Sequence, residues 1–114
     1  MKLYHNPRCS KSRATLEALK EKGCSPEIIE YLETPPTADE LDNICTLLDI
    51  EPLALIRTKE TRFKELGLTT EDERPRSEWI ELMIQNPILI ERPILVTETQ
   101  AAIGRPLENI LAII

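Results

Sequence analysis

One stretch of the chain concentrates reactive and charged side chains: Tyr4-His5-Asn6-Pro7-Arg8-Cys9-Ser10-Lys11-Ser12-Arg13. Lys2–His5 alternates polar and apolar residues and reads as a short strand, and Asn6–Pro7 is a turn signal. From Ser10 or Lys11 to about Lys22 the spacing is helical, with Ser12, Leu16, Leu19 and Gly23 on one face and Gly23 as the stop. Cys9 therefore stands in the turn after a strand and directly before a helix. Free N–H groups of a first helical turn, the helix dipole, and cations at Arg8, Lys11 and Arg13 all favour thiolate over thiol. The same features hold oxyanions. A nucleophilic sulfur and an anion cradle coincide at one place. The polar company of Cys9 argues against a buried structural cysteine.

The neighbours of Cys9 leave two readings each. His5 tunes the sulfur electrostatically or anchors the loop by hydrogen bonds; one histidine beside one cysteine is not a zinc site, and no metal is expected. Ser12 donates to the thiolate or caps the helix. Cys45 lies on an apolar helical stripe and is assigned to packing. Cys24 follows the end of the first helix, about 20 Å from Cys9 at the helical rise, too far for a disulfide. Cys9-x-x-Ser12 supplies no local resolving thiol, so turnover through Cys9 requires an external thiol such as glutathione. Arg57, Arg92 and Arg105 form a second group. Arg92 and Arg105 each precede a proline beside an apolar run, and guanidinium is the favoured partner of a tetrahedral oxyanion.

The elements that must position these groups follow from patterning. Glu27–Leu32 is a strand by composition, completing a β-α-β unit with parallel strands. Thr37 and Glu40 form a capping box ahead of a helix whose stripe is Leu41, Ile44, Cys45 and Leu48. Short helices are expected over Pro52–Ile56 and Thr61–Leu66, a loop over residues 69–78, and a helix carrying Trp79, Leu82, Met83 and Asn86, stopped by Pro87. Ile94–Thr97 and Ala101–Gly104 read as a hairpin, and Pro106 as the start of a last helix.

The chain has 114 residues, 14 Lys+Arg and 20 Asp+Glu, a net charge of −6. That balance argues against a general nucleic-acid binder. It also hides an island: residues 1–22 carry six basic and two acidic groups, the remainder eight and 18. No apolar run is long enough to span a bilayer, and no leader pattern follows Met1. Three cysteines do not make a disulfide scaffold, and a reducing cytoplasm is expected.

With these residues in view, the sequence resembles the ArsC family of glutaredoxin-linked arsenate reductases. The resemblance rests on Tyr4-His5-Asn6-Pro7 with Cys9 and Ser12-Arg13, on Tyr31-Leu32-Glu33-Thr34-Pro35-Pro36, Leu55-Ile56-Arg57, Glu65-Leu66-Gly67-Leu68, Asn86–Ile94 and Gly104-Arg105-Pro106. Arg8 and Lys11 stand where plasmid-type members carry small or uncharged residues, and the run Pro7–Arg13 looks more like a chromosomal branch.

The resemblance implies a thioredoxin-like α/β fold: β-α-β, an inserted helical subdomain at about 37–88, then β-β-α around a mixed four-stranded sheet, one domain over 1–114 with a cis Pro93. It implies that Cys9 is the nucleophile, with His5 and Ser12 beside it. Arg57, Arg92 and Arg105 would hold arsenate; Arg8 and Lys11, departures from the family pattern, are expected as further anion contacts from their place beside Cys9. Glutathione would act as co-substrate and glutaredoxin as the protein reductant. A monomer with no bound cofactor is expected. Two other classes stay open: a glutaredoxin-like thiol oxidoreductase acting on glutathionylated substrates, and an Spx-like regulator that binds RNA polymerase. Ser12 removes the Cys-x-x-Cys switch of many such regulators.

Overall fold

The alternating N-terminal residues form strand β1 (Lys2–His5), and the polar run after the turn forms helix α1 (Ser10–Glu21). Gly23, at φ 79°, lies just past the end of α1 in the left-handed region that glycine tolerates, and the chain turns into β2 (Glu27–Glu30). Near the C-terminus come β3 (Ile94–Val96), β4 (Ala101–Ile103) and helix α5 (Glu108–Leu111). These coordinates are a computed structural model describing residues 1–114.

The sheet runs β2-β1-β3-β4. β1 pairs parallel with β2, Leu3 opposite Ile28, and antiparallel with β3, Leu3 opposite Leu95. β3 and β4 form an antiparallel hairpin, Leu95 opposite Ala102. The hairpin turn is held by Thr97, whose N–H donates to the Gln100 carbonyl at 2.8 Å and whose Oγ1 accepts the Gln100 N–H at 3.0 Å. Leu3, Leu19, Leu95, Ala102 and Ile110 form one buried cluster, with Leu16, Cys24 and Ile113 packed against it. This cluster fixes α1 and α5 on the sheet, and so fixes the two chain segments that approach Cys9.

The chain divides into two compact units, one of Met1–Thr34 with Arg92–Ile114, the other of Pro35–Glu91. The second unit is helical: α2 (Ala38–Leu48), a 3-10 turn (Pro52–Leu55), α3 (Thr61–Glu65), α4 (Arg76–Gln85) and a second 3-10 turn (Pro87–Leu89). The Thr37 capping box closes in both directions, Glu40 N–H to Thr37 Oγ1 at 3.2 Å and Thr37 N–H to Glu40 Oε1 at 2.9 Å. Asp49, left-handed at φ 56°, ends α2. Within this unit Arg57 N–H donates to the Leu89 carbonyl at 2.7 Å, and Glu91 N–H to that of Leu55 at 2.9 Å. Arg76 ties α4 to α2 through Asp42, Nε to Oδ1 at 2.6 Å.

Three boundaries differ from the sequence reading by more than one residue. α4 begins at Arg76, so residues 76–78 are helical rather than loop; its first turn is polar, and the apolar stripe that betrays a helix starts only at Trp79. β2 ends at Glu30, two residues early, where Glu33 and Thr34 N–H groups both turn back to the Glu30 carbonyl. The last helix begins at Glu108 rather than at Pro106. The Arg92–Pro93 and Arg105–Pro106 peptide bonds are both cis.

Gly104 sits where no side chain fits. A Cβ there would stand 2.8 Å from Pro93 Cγ, 2.9 Å from Ile110 Cδ1 and 3.0 Å from Thr15 Oγ1. Its N–H donates to the Pro93 carbonyl at 2.8 Å. Gly104→Ala therefore forces apart α1, α5 and the Pro93 segment, at a cost of about 1–3 kcal/mol. A lowered urea midpoint with an unchanged m-value is the expected readout.

Candidate active site

The loop before α1 is built by Asn6. Its side-chain Oδ1 accepts the Arg8 N–H at 3.0 Å, and its carbonyl accepts the Cys9 N–H at 3.0 Å. Asparagine followed by proline is the composition such a turn needs at its first two positions. Arg13 Nη1 donates to the Pro7 carbonyl at 3.0 Å and closes the loop against the helix. Cys9 is left at the N-cap of α1 in extended conformation (φ −94°, ψ 122°), its sulfur partly exposed.

Several groups converge on that sulfur. Partial burial pushes the Cys9 thiol up. The backbone N–H groups of Ser12 and Lys11, the Arg105 guanidinium and the charge of Arg92 more than offset this, and hold it below the ordinary thiol value. Arg105 Nη2 lies 3.4 Å from Cys9 Sγ. The same guanidinium is steadied by its Nε, which donates to the Arg92 carbonyl at 3.0 Å. Arg92 and Arg105 thus meet at Cys9 across 83 and 96 positions of sequence.

The cations adjacent to Cys9 in sequence differ in their settings. Arg8 is exposed in the turn, Arg13 is committed to Pro7, and Lys11 acts on the sulfur through its backbone N–H. The physical reason is direction: side chains at the start of a helix point outward and back, whereas its first-turn N–H groups point at the cap.

Ser12 neither caps the helix nor touches the thiolate with its hydroxyl. It is fully buried; its Oγ lies 2.6 Å from His5 Nδ1 and accepts the Asn6 N–H at 3.0 Å. His5 is itself buried, and burial pulls its pKa down, opposed by Glu30 and aided by Arg13. That shift favours the neutral ring. Of its two readings, the loop anchor is the one the hydrogen bonding favours. Ser12→Ala orphans Asn6 N–H and His5 Nδ1, costing about 1–3 kcal/mol of stability, yet keeps the Ser12 N–H. A lowered unfolding midpoint with little change in the pH profile of Cys9 alkylation is the expected pair of results.

The remaining candidates have their own surroundings. Cys24 lies past the far end of α1, packed on the core, and Cys45 is fully buried in α2, where burial raises its thiol. Arg57 belongs to the second unit, its Nη1 donating to the Ile88 carbonyl at 3.2 Å and its Nη2 paired with Glu60 at 3.0 Å. Two site residues escaped the sequence reading in the roles they take: Arg13 as a closer of the loop and Gly104 as the close-packed residue before Arg105. Neither role has a signal in a single sequence, whereas the turn at Asn6–Pro7 was visible. No group of three or more His, Cys, Asp or Glu is arranged to hold a metal ion, and no helix is long and apolar enough to cross a membrane.

A family model, that of the ArsC family, matches residues 4–113. The chain belongs to the ArsC family. Among relatives of this ArsC chain, an arsenate reductase of Escherichia coli K12 is 46% identical over 112 residues, covering 98% of the chain and 79% of that protein. The uncharacterized protein YfgD of the same strain is 46% identical over 115 residues, covering 100% and 96%. The solved arsenate reductase from Vibrio cholerae superposes with a TM-score of 0.93 at 43% identity, covering 100% of this chain and 98% of that one. The mixed sheet with its β-α-β and β-β-α halves is the thioredoxin-like fold of this family.

Proposed function

We propose that the protein is an arsenate reductase, with Cys9 as nucleophile and glutathione and glutaredoxin as reductants. The observation that carries this reading is the set of donors already gathered on one sulfur: two first-turn N–H groups, the Arg105 guanidinium at 3.4 Å, and Arg92 beside it. These donors stabilise a thiolate, and they are the same groups an oxyanion bonded to that sulfur would need. The names of the relatives at 42–46% identity support arsenate as the oxyanion.

The chemistry balances in three steps. The Cys9 thiolate attacks arsenic, a sulfur–arsenic bond forms, and one arsenate oxygen leaves as water after protonation. An external thiolate then attacks the Cys9 sulfur. A disulfide forms, the sulfur–arsenic bond breaks with its electron pair passing to arsenic, and arsenic falls from the +5 to the +3 state as arsenite. A second thiol reduces the mixed disulfide and restores Cys9. Arg105 and Arg92 offset charge on the thiolate and on the adduct in turn. Arg57 enters this reading as a further arsenate ligand through the family resemblance. An external reductant suits a chain whose other thiols are a core-packed Cys24, beyond the far end of α1 and about 20 Å from Cys9 at the helical rise, and a fully buried Cys45. Those reductants belong to a reducing cytoplasm.

The test is a coupled assay with glutathione, glutaredoxin, glutathione reductase and NADPH. NADPH oxidation that depends on arsenate is expected. No arsenate-dependent oxidation at any level of glutathione and glutaredoxin would sink the reading, and faster turnover of a glutathione mixed disulfide than of arsenate would replace it with a general thiol oxidoreductase.

A further inference from the structure

Next to the Cys9 cluster lies a groove of about 490 Å³, bounded by Lys11 and Ala14 of α1 and by the segment Gly104–Glu108. Its size falls in the range of small-molecule clefts, roughly 300–1,000 Å³, and far exceeds one tetrahedral oxyanion. Arg105 connects the two places: it lines the groove and donates to the sulfur. The groove carries opposite charges, the Lys11 ammonium from α1 and the Glu108 carboxylate from α5, neither of them in an ion pair. Between them Ala14, Pro106 and Leu107 give an apolar lining. A simple anion would be attracted to Lys11 and Arg105 but repelled by Glu108.

We propose that this groove is the docking site of the reducing thiol, and that it selects a zwitterionic peptide thiol. A carboxylate of the peptide pairs with Lys11 and its ammonium with Glu108, while its methylene groups lie on Ala14, Pro106 and Leu107. The peptide sulfur then faces Cys9 beside Arg105. The proposal rests on the reading of Cys9 as the nucleophile of an arsenate reductase. The step it serves is the second one above: the peptide thiolate bonds to the Cys9 sulfur, the sulfur–arsenic pair passes to arsenic, and the thiol's proton ends on an arsenite oxygen. Lys11 and Glu108 are positioning residues for the co-substrate.

S-methylglutathione keeps the charges and cannot be oxidised to a disulfide, so its binding reports the groove without the reaction. In a titration of the whole protein followed by amide NMR, saturable shifts are expected at Lys11, Ala14, Gly104, Arg105, Leu107 and Glu108. Lys11→Glu and Glu108→Lys should each raise the Kd about fivefold or more, an exposed ion pair's contribution, with thermal unfolding confirming that both fold. In turnover, both variants should raise the KM for glutathione, and Glu108→Lys should do so while the KM for arsenate stays within about twofold. Shifts on another face, no saturation, or unchanged affinity in both variants would overturn the proposal. So would a rise in the arsenate KM alone, which would give the groove to the oxyanion. Binding at the groove without any arsenate reduction would uphold the docking site and remove arsenate as the substrate; arsenate reduction without groove binding would do the reverse.

Discussion

Cys9→Ser should leave less than about one part in a thousand of the arsenate-reducing rate, the scale of loss when an enzyme's nucleophile is removed. Serine keeps the N-cap position and can accept from the Ser12 and Lys11 N–H groups that face the sulfur. What it lacks is a polarisable sulfur whose thiol is held below its ordinary value, so the substitution removes chemistry while leaving the fold. Cys24→Ser and Cys45→Ala supply the contrast. Cys24 packs at the far end of α1 and Cys45 is sealed in α2, so both variants should retain turnover. Steady-state rates of the three variants in the coupled assay decide the matter. Activity in Cys9→Ser, or its loss in Cys24→Ser, would contradict the assignment.

Arg105→Ala has the next largest expected effect. It removes the guanidinium 3.4 Å from Cys9 Sγ and the clamp on the Arg92 carbonyl. A charge-assisted hydrogen bond contributes about 1.5–3 kcal/mol, which converts to roughly 10- to 150-fold in rate. The sign of the pH effect follows from the same contact. Arg105 favours the charged form of the sulfur, so its loss raises the thiol pKa toward the ordinary value. The acid limb of the rate profile should therefore move to higher pH, and part of the deficit at pH 7 should be recovered as pH rises. Arg105→Lys should recover the charge but not the two-point hold on sulfur and carbonyl, and should fall between the two. A uniform loss at every pH would mean that Arg105 acts on substrate alone.

The position of Cys9 was legible because local rules specify it. An alternating strand, an Asn-Pro turn and a helical run leave only the N-cap for the residue between them. The Thr37–Glu40 capping box and the stripe on α2 were legible for the same reason. What acts on the sulfur from a distance was not. Arg92 and Arg105 were singled out by the proline after each, the apolar run beside them and the family resemblance, but nothing local says that the sheet and α5 bring them to Cys9. The neighbouring Arg13 misled because sequence adjacency says nothing of direction, and its guanidinium turns to the Pro7 carbonyl. Ser12 misled similarly. Its spacing from Cys9 fits a contact, but its hydroxyl is turned toward His5 and Asn6. The first turn of α4 was hidden by polar residues, although Pro75 at its boundary and Glu78 in its first turn are helix-start signals.

The central claim is that Cys9 is an ionised sulfur in an oxyanion cradle. Its most direct test is the pH dependence of alkylation at Cys9, resolved from Cys24 and Cys45 by mass spectrometry, with and without arsenate. The account predicts a midpoint below that of an ordinary thiol, and slower alkylation when arsenate occupies the donors around the sulfur. An ordinary midpoint that arsenate leaves untouched would contradict it.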